Sequence, residues 1–254
     1  MNYFFVSDVH LGLSTHRKAD QTEKLFEEWL TMVREELNRD SSSQKGLFLV
    51  GDVFDFWFEY KHVIPKGFVK ILALLQNICE DGIDVFMLKG NHDCWSRGYL
   101  SSLGIKFIEE PQTELKVGDI NLYVAHGDKI HSRCNLGSKI LFSIFNSKLA
   151  YRAFAGLVHP DLAFTFAHGW SKKNRTSKYV AHDFRFEQEP FVKYIRKQNH
   201  LDNQRYYYVF GHLHSPVIYD IESNIKLMVL GHWIEGEIMY GKLDENGLNL
   251  VKFK

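Results

Sequence analysis

Aspartates and histidines recur along this chain, each group directly behind a hydrophobic run. The sequence reads VSDVH at 6–10, VGDVFD at 50–55, KGNHD at 89–93, VAHGD at 124–128 and FGHLH at 210–214. Carboxylate, imidazole and amide donors without cysteine suit a divalent transition ion of intermediate softness, such as Mn²⁺, Fe²⁺ or Zn²⁺. Seven such residues, Asp8, His10, Asp52, Asn91, His126, His212 and His214, are too many for one ion but natural for two that share a carboxylate. Two ions about 3.5–4 Å apart form a clamp for phosphoryl transfer, activating water and stabilising charge on phosphate oxygens. The chemistry expected is phosphoester or phosphoanhydride hydrolysis. Any one cluster is explained as well by capping and turn chemistry at a strand end. Five clusters in order favour metal binding.

Those residues need strands to position them. NYFFVS (2–7), LFLV (47–50) and IDVFML (83–88) read as buried strands. Between them, Leu25, Trp29, Met32, Val33 and Leu37, then Phe68, Ile71, Leu72 and Leu75, recur at helical spacing. This β-α-β-α-β order implies a parallel sheet with right-handed crossovers. In open α/β sheets ligands bind beyond the carboxyl ends of strands, so the polar clusters should converge on one crevice. Gly51, Gly90 and Gly211 allow sharp turns and close approach there.

After Cys94 short strands follow, IKFI, TELKV and INLYVA, with a hairpin turn expected at Gly118 and Asp119. The pattern is helical from Gly137 to about Gln198 and returns to strands from Tyr206. No linker divides the 254 residues. The expected organisation is one domain, 1–254, with a helical lid insertion at 135–200.

Composition, at 45% apolar and 24% charged, describes a folded soluble protein and argues against disorder. Cys79, Cys94 and Cys134 form no Cys-x-x-Cys pair, which argues against a disulfide framework or zinc knuckle and for a reducing compartment. The opening MNYFFVSD lacks a basic leader region and cleavage site, and no apolar run approaches the ~20 residues of a membrane span. A cytoplasmic chain starting at Met1 is expected. Net charge is +0, yet residues 129–185 hold ten Lys or Arg against Asp161 and Asp183, a net of +8. An anionic partner is expected at that segment.

The stretch KILFSIFNSKLAYRAFAGLVHPDLAFTFAHGW reads either as a packed helical pair or as an amphipathic lid. Such a lid would accept acyl chains and anchor at an anionic membrane surface. Lys172, Lys173, Asn174, Arg175 and Lys178 read either as a solvated helix face or as donors to a diphosphate.

In this order, DVH, GDVFD, GNHD, HGD and GHLH resemble the five motif blocks of the calcineurin-like metallophosphoesterases, from Asp8 to His214. The resemblance implies an α/β (α+β) fold, a four-layer αββα sandwich, here with the helical lid inserted. It implies that Asp8, His10, Asp52 and His214 hold a first metal, and Asp52, Asn91, His126 and His212 a second, with Asp52 as the bridge. His92 would contact the phosphate and assist the leaving group as proton donor or positive charge. Asp55 would accept its other ring proton. Asp93 is then structural, and Asp128, within HGD, is left undecided. His16, His62, His131, His159, His168, His182 and His200 have no motif support.

Size, the helical insertion, GDVFDFW and VLGHWIEGE (229–237) are most similar to the UDP-2,3-diacylglucosamine pyrophosphatases of lipid A synthesis. That similarity implies cleavage of an acylated UDP-sugar to UMP and 2,3-diacylglucosamine 1-phosphate (lipid X). It implies two divalent ions, Mn²⁺ first, with Fe²⁺ or Zn²⁺ as alternatives. A peripheral site on the cytoplasmic face of the inner membrane is implied, with neither nucleic acid nor a protein partner expected. Ser171, Asn174, Thr176 and Lys178 would contact substrate, and His232, beside Trp233, lies near the site or in the core. Well-known members carry GNRD where this chain has His92; histidine can donate a proton that arginine holds. The alternatives are a phosphoesterase for a nucleotide, phosphoprotein or other phosphodiester, and a non-catalytic scaffold, which should have lost ligands that are all present here.

Overall fold

The computed structural model describes every residue except 16, 132–146, 166–182 and 202. Its elements, in chain order, are β1 (Asn2–Val6), α1 (Ala19–Arg39), β2 (Lys45–Val50), α2 (Val69–Glu80), β3 (Asp84–Leu88), α3 (Tyr99–Ser102) and β4 (Lys106–Ile108). There follow β5 (Gln112–Val117), β6 (Ile120–Ala125), α4 (Asp128–His131), α5 (Lys148–Leu157) and α6 (Pro190–Ile195). The chain ends with β7 (Arg205–Phe210), β8 (Val217–Glu222), β9 (Ile225–Val229), β10 (Met239–Asp244) and β11 (Gly247–Lys252).

The strands form two sheets, ordered β11-β10-β1-β2-β3-β4 and β5-β6-β7-β9-β8. β1 to β4 are parallel neighbours in the first, as are β6, β7 and β9 in the second. Alternation explains why both sets read as unbroken apolar runs. Phe4, Val6, Leu47 and Leu49 face α1 and α2, while Tyr3, Phe5, Phe48 and Val50 meet Leu122, Val124, Val209 and Met228 of the second sheet. On the far side Tyr123, Tyr208, Phe210 and Leu227 pack against Phe191, Val192 and Ile195 of α6. The layers are helix, sheet, sheet, helix, so the mixed α/β sandwich expected from the motifs is the fold. Each of the two face-to-face sheets contributes its own parallel strands.

α1 forms because Thr22, Phe26, Trp29, Leu30, Val33 and Leu37 fall on one buried stripe. Its last carbonyls are satisfied by Lys45, whose Nζ donates to Leu37 O at 2.7 Å and Asp40 O at 2.6 Å. Each fully buried side chain of this kind contributes roughly 1.5–3 kcal/mol relative to exposure. α1 thus packs with α2 on the outer face of the first sheet.

Candidate metal centre

All five polar clusters leave the carboxyl end of a parallel strand: β1, β2 and β3 in one sheet, β6 and β7 in the other. Main-chain bonds run on into the loops. Asp8 N–H donates to Gly51 O at 3.2 Å, His10 N–H to Asp52 O at 3.0 Å and Gly211 N–H to His126 O at 3.1 Å. The sandwich therefore brings residues over 200 positions apart in sequence to one edge, where His212 N–H donates to Asp8 Oδ2 at 2.9 Å.

Asp8, His10, Asp52 and His126 are buried together. His214 Nε2 lies 3.0 Å from Asp8 Oδ1, and His10 Nε2 lies 3.7 Å from the same oxygen. Asp52 Oδ2 lies between two imidazoles, 3.9 Å from His10 Nε2 and 3.4 Å from His126 Nε2. The His212 ring is 5.3 Å from that of His126. Asn91 is exposed on the β3 loop, and the next residue, His92, donates its N–H to Asp52 Oδ1 at 2.8 Å.

The backbone here is held where most residues avoid it. Asp8, His10, Asp52, His212 and His214 have φ of 54°, 51°, 51°, 69° and 57°. Among described non-glycine residues only Phe68 and Phe186 share that left-handed region. Such strain, about 1–3 kcal/mol per residue, persists only where surrounding bonds over-determine it. Asp93 supplies four of them, accepting from Asp52 N (3.1 Å) and Gly90 N (2.8 Å) on Oδ1 and from Val53 N (2.7 Å) and Phe54 N (3.3 Å) on Oδ2. Asp93 thereby ties the β2 loop to the β3 loop. Gly90 has no space for a side chain, since a Cβ would fall 2.0 Å from Asp52 Oδ1.

The donor set suits a cation. His126 Nδ1 lies 2.9 Å from Val50 O, which can only accept, so Nδ1 carries a proton and Nε2 is directed inward. That Nε2 is buried, has no hydrogen-bond partner, and faces a carboxylate oxygen. An imidazole nitrogen and a carboxylate oxygen facing each other at 3.4 Å suit a shared cation, or a proton on Nε2 when no metal is bound. Burial raises the Asp8 and Asp52 carboxyls, but nearby imidazoles, His214 for Asp8 and His126 for Asp52, outweigh it and hold both below the usual range. Burial lowers the His126 imidazole, and the Asp52 carboxylate overrides it and pushes it well above the usual range.

His92 Nδ1 lies 2.8 Å from the main-chain carbonyl of Asp55, whereas the Asp55 carboxylate Oδ1 is 3.7 Å away. The expected residue orients His92, but through its backbone oxygen. The carboxylate Oδ1 is also 3.7 Å from His10 Nδ1, so Asp55 serves two imidazoles. Ser171, Asn174, Thr176 and Lys178, with Lys172, Lys173 and Arg175, lie outside the described residues.

Two residues of the site escaped the motif reading. Ser7 Oγ donates to Val50 O at 2.8 Å, tying the ends of β1 and β2; nothing distinguishes this serine in the sequence. Glu59, buried, accepts from Trp57 Nε1 (3.0 Å), Ser96 Oγ (2.7 Å), Tyr99 N (3.1 Å) and Arg97 N, tying the β2 and β3 loops. Its signal was a lone acid in an aromatic run, FDFWFEY. α5 docks on the same region, with Tyr151 and Phe154 against Phe58 and Trp95, and Tyr60 Oη donating to Val158 O at 3.0 Å. Leu149, Leu157 and Leu162 remain 77%, 86% and 66% exposed. Among the described residues no helix is long and apolar enough to cross a membrane.

A family model described as calcineurin-like phosphoesterase matches residues 1–235. The UDP-2,3-diacylglucosamine hydrolase of Porphyromonas gingivalis is 27% identical over 243 residues, covering 91% of this chain and 90% of that protein. The protein of the same name from Shewanella sp. strain ANA-3 is 23% identical over 261 residues, covering 100% and 99%. A dimetal phosphatase from Danio rerio superposes with a TM-score of 0.47 at 12% identity, covering 99% and 95% of the chains. Matched from its first strand through the last polar loop, and with acids and imidazoles gathered where the strands of both sheets end, this chain belongs to the calcineurin-like phosphoesterase family.

Proposed function

We propose that this phosphoesterase hydrolyses the diphosphate of UDP-2,3-diacylglucosamine to UMP and 2,3-diacylglucosamine 1-phosphate. Asp8, His10, Asp52 and His214 would hold one divalent ion and Asp52, Asn91, His126 and His212 the other, Mn²⁺ being the first choice. The observation that carries the hydrolytic reading is Asp52 Oδ2, set between His10 Nε2 and His126 Nε2 at 3.9 Å and 3.4 Å. The acylated UDP-sugar is supported by relatives of that name aligned over nearly the whole chain.

Bound divalent ions supply Lewis acidity at the phosphate oxygens and a more acidic attacking water. The protein's own groups do the rest. Asp55 Oδ1, 3.7 Å from His10 Nδ1, sets a carboxylate charge behind that ring. Asp93 holds the main chain of Asp52. His92, 26% exposed and held through Nδ1, presents Nε2 to the substrate. Attack at the uridine-side phosphorus forms a P–O bond to water oxygen and breaks the bond to the bridging oxygen, which leaves on the lipid 1-phosphate. The attacking water loses a proton to solvent or base. Because the leaving group is itself a phosphate, His92 Nε2 would assist it as a proton donor or as a positive charge.

The whole chain would act as one domain, with 135–200 as a lid. Exposed Leu149, Leu157 and Leu162 and the net +8 of residues 129–185 support a lid that rests on an anionic inner-membrane surface, facing the cytoplasm. No nucleic acid or protein partner enters this reading. A second reading, a soluble phosphodiester or nucleotide substrate, is favoured by one residue, His92, where well-known lipid enzymes carry arginine.

The deciding experiment is hydrolysis of UDP-2,3-diacylglucosamine by Mn²⁺-loaded protein, with products identified by mass and a soluble phosphodiester alongside. UMP and the lipid monophosphate are expected. Turnover of the soluble ester alone would transfer the assignment to the second reading.

A further inference from the structure

A further parallel strand, β9, ends at the same edge, and the loop behind it carries a histidine outside the five motif blocks. β9 is the direct neighbour of β7, which carries His212 and His214. The His232 ring centroid lies 5.2 Å from that of His214, with the planes inclined at 36°. The loop is fastened on both sides. Trp233 N–H donates to Asp8 O at 3.1 Å, and Trp233 is fully buried against Phe26 and Trp29. Arg17 donates through Nη1 to Trp233 O at 2.5 Å and through Nη2 to Gly236 O at 2.9 Å.

The local bonding also sets the tautomer. Ile234 N–H donates to His232 Nδ1 at 3.2 Å, so Nδ1 is an acceptor and the ring proton sits on Nε2, across the ring. His232 is partly exposed, unlike His10 and His126. The loop thus holds an N–H donor beside His214, on the rim of the site, with its position fixed by buried neighbours.

We infer that His232 is a substrate-binding residue whose Nε2–H donates to a non-bridging oxygen of the phosphoryl group held on the His214 side of the centre. This rests on the metal-dependent phosphoester reading above. It adds a neutral donor to that reading, one that contacts the anion and not the metal. The tilted ring contact with His214 offers a competing role, packing alone, and two variants separate them. His232→Phe keeps a ring and removes the donor. His232→Gln removes the ring and keeps an N–H near the Nε2 position.

The measurement is calorimetric binding of inorganic phosphate to Mn²⁺-loaded protein, with Mn²⁺ content and melting temperature recorded for each variant. Both variants are expected to keep the wild-type Mn²⁺ content. Phosphate affinity should fall roughly tenfold or more in H232F, as for loss of a hydrogen bond to a charged group, and stay within a few-fold of wild type in H232Q. Unchanged affinity in H232F would overturn the inference. So would loss in H232Q with retention in H232F, or loss of Mn²⁺ from either, since His232 would then act through His214. Wild-type protein that takes up no Mn²⁺ would instead refute the metal reading itself, and the inference with it.

Discussion

Asp93 and Asp52 are joined side chain to main chain: Asp93 Oδ1 accepts the Asp52 N–H at 3.1 Å, from a loop 41 positions away in sequence. The same carboxylate takes three further N–H groups, so one side chain sets the path of both the β2 and β3 loops. Asp93→Asn replaces one oxygen by an NH₂ that faces main-chain donors. Two buried N–H groups then lose their acceptor, at about 1–3 kcal/mol each. The variant is expected to melt lower and to bind Mn²⁺ more weakly, although Asp93 touches no expected metal position. Thermal melting with a Mn²⁺ titration checks this; a melting curve superimposable on wild type would contradict it.

Asp52 and Asp55 should differ in kind. Asp52→Asn keeps an oxygen able to accept from His92 N but loses the anion between His10 and His126. Asp55→Asn leaves the main-chain carbonyl that holds His92 and weakens the carboxylate's attraction to the His10 and His92 rings, each 3.7 Å away. Loss of an outer partner of this type reduces metal affinity or activity by roughly 10–100-fold. Asp52→Asn should exceed that range and lower the bound Mn²⁺ per chain; elemental analysis and turnover, measured together, distinguish the two. Equal effects would refute the bridging assignment.

Chelation should destabilise the fold itself. Asp8, His10, Asp52, His212 and His214 hold left-handed φ, and two carboxylates are buried among them. An ion that binds only the folded state at about 100 times its Kd adds about 2.7 kcal/mol. For a chain of this size 1 kcal/mol moves the melting temperature by roughly 2–4 °C. Removing the metal should therefore lower it by about 5–11 °C, reversibly on adding Mn²⁺. No shift in calorimetry with and without chelator would count against a resident ion.

Much of this arrangement is legible from residue order, for reasons that differ by level. β1, α1, β2, α2 and β3 are readable because each buries a face with its own period, as with Phe26, Trp29, Val33 and Leu37 in α1. Membership of a sheet is not readable. β6 and β7 pair in parallel, Leu122 opposite Tyr207, across the whole helical segment, and nothing local in INLYVA or RYYYVF names its partner. At the site, strand-end acids and histidines are visible because polar groups there contrast with the apolar runs before them. The atom used is not: Asp55 holds His92 through a main-chain carbonyl, a group every residue carries. The supporting role of Ser7 is hidden for a related reason, since its bonds go to the backbone of a strand far away in sequence.

His92 decides between charge and proton transfer. Its Nδ1 is engaged by Asp55 O, and its own N–H reaches Asp52 Oδ1, so a side-chain substitution leaves the Asp52 contact in place and metal content should not change. If the group leaving is a phosphate, it departs as an anion that needs stabilising more than protonating. His92→Arg places a permanent cation at this position, while His92→Ala removes the imidazole altogether. On the acylated UDP-sugar, H92R should retain turnover within about tenfold, and H92A should fall by roughly 10²-fold or more, at the lower end of what a positioned acid contributes. On an ester with a poor alkoxide leaving group, H92R should fall with H92A, because arginine holds its proton. Measuring both variants on both substrates, at equal Mn²⁺ content, tests the argument. Should H92R be as inactive as H92A on the diphosphate, proton donation and not charge is the role of His92.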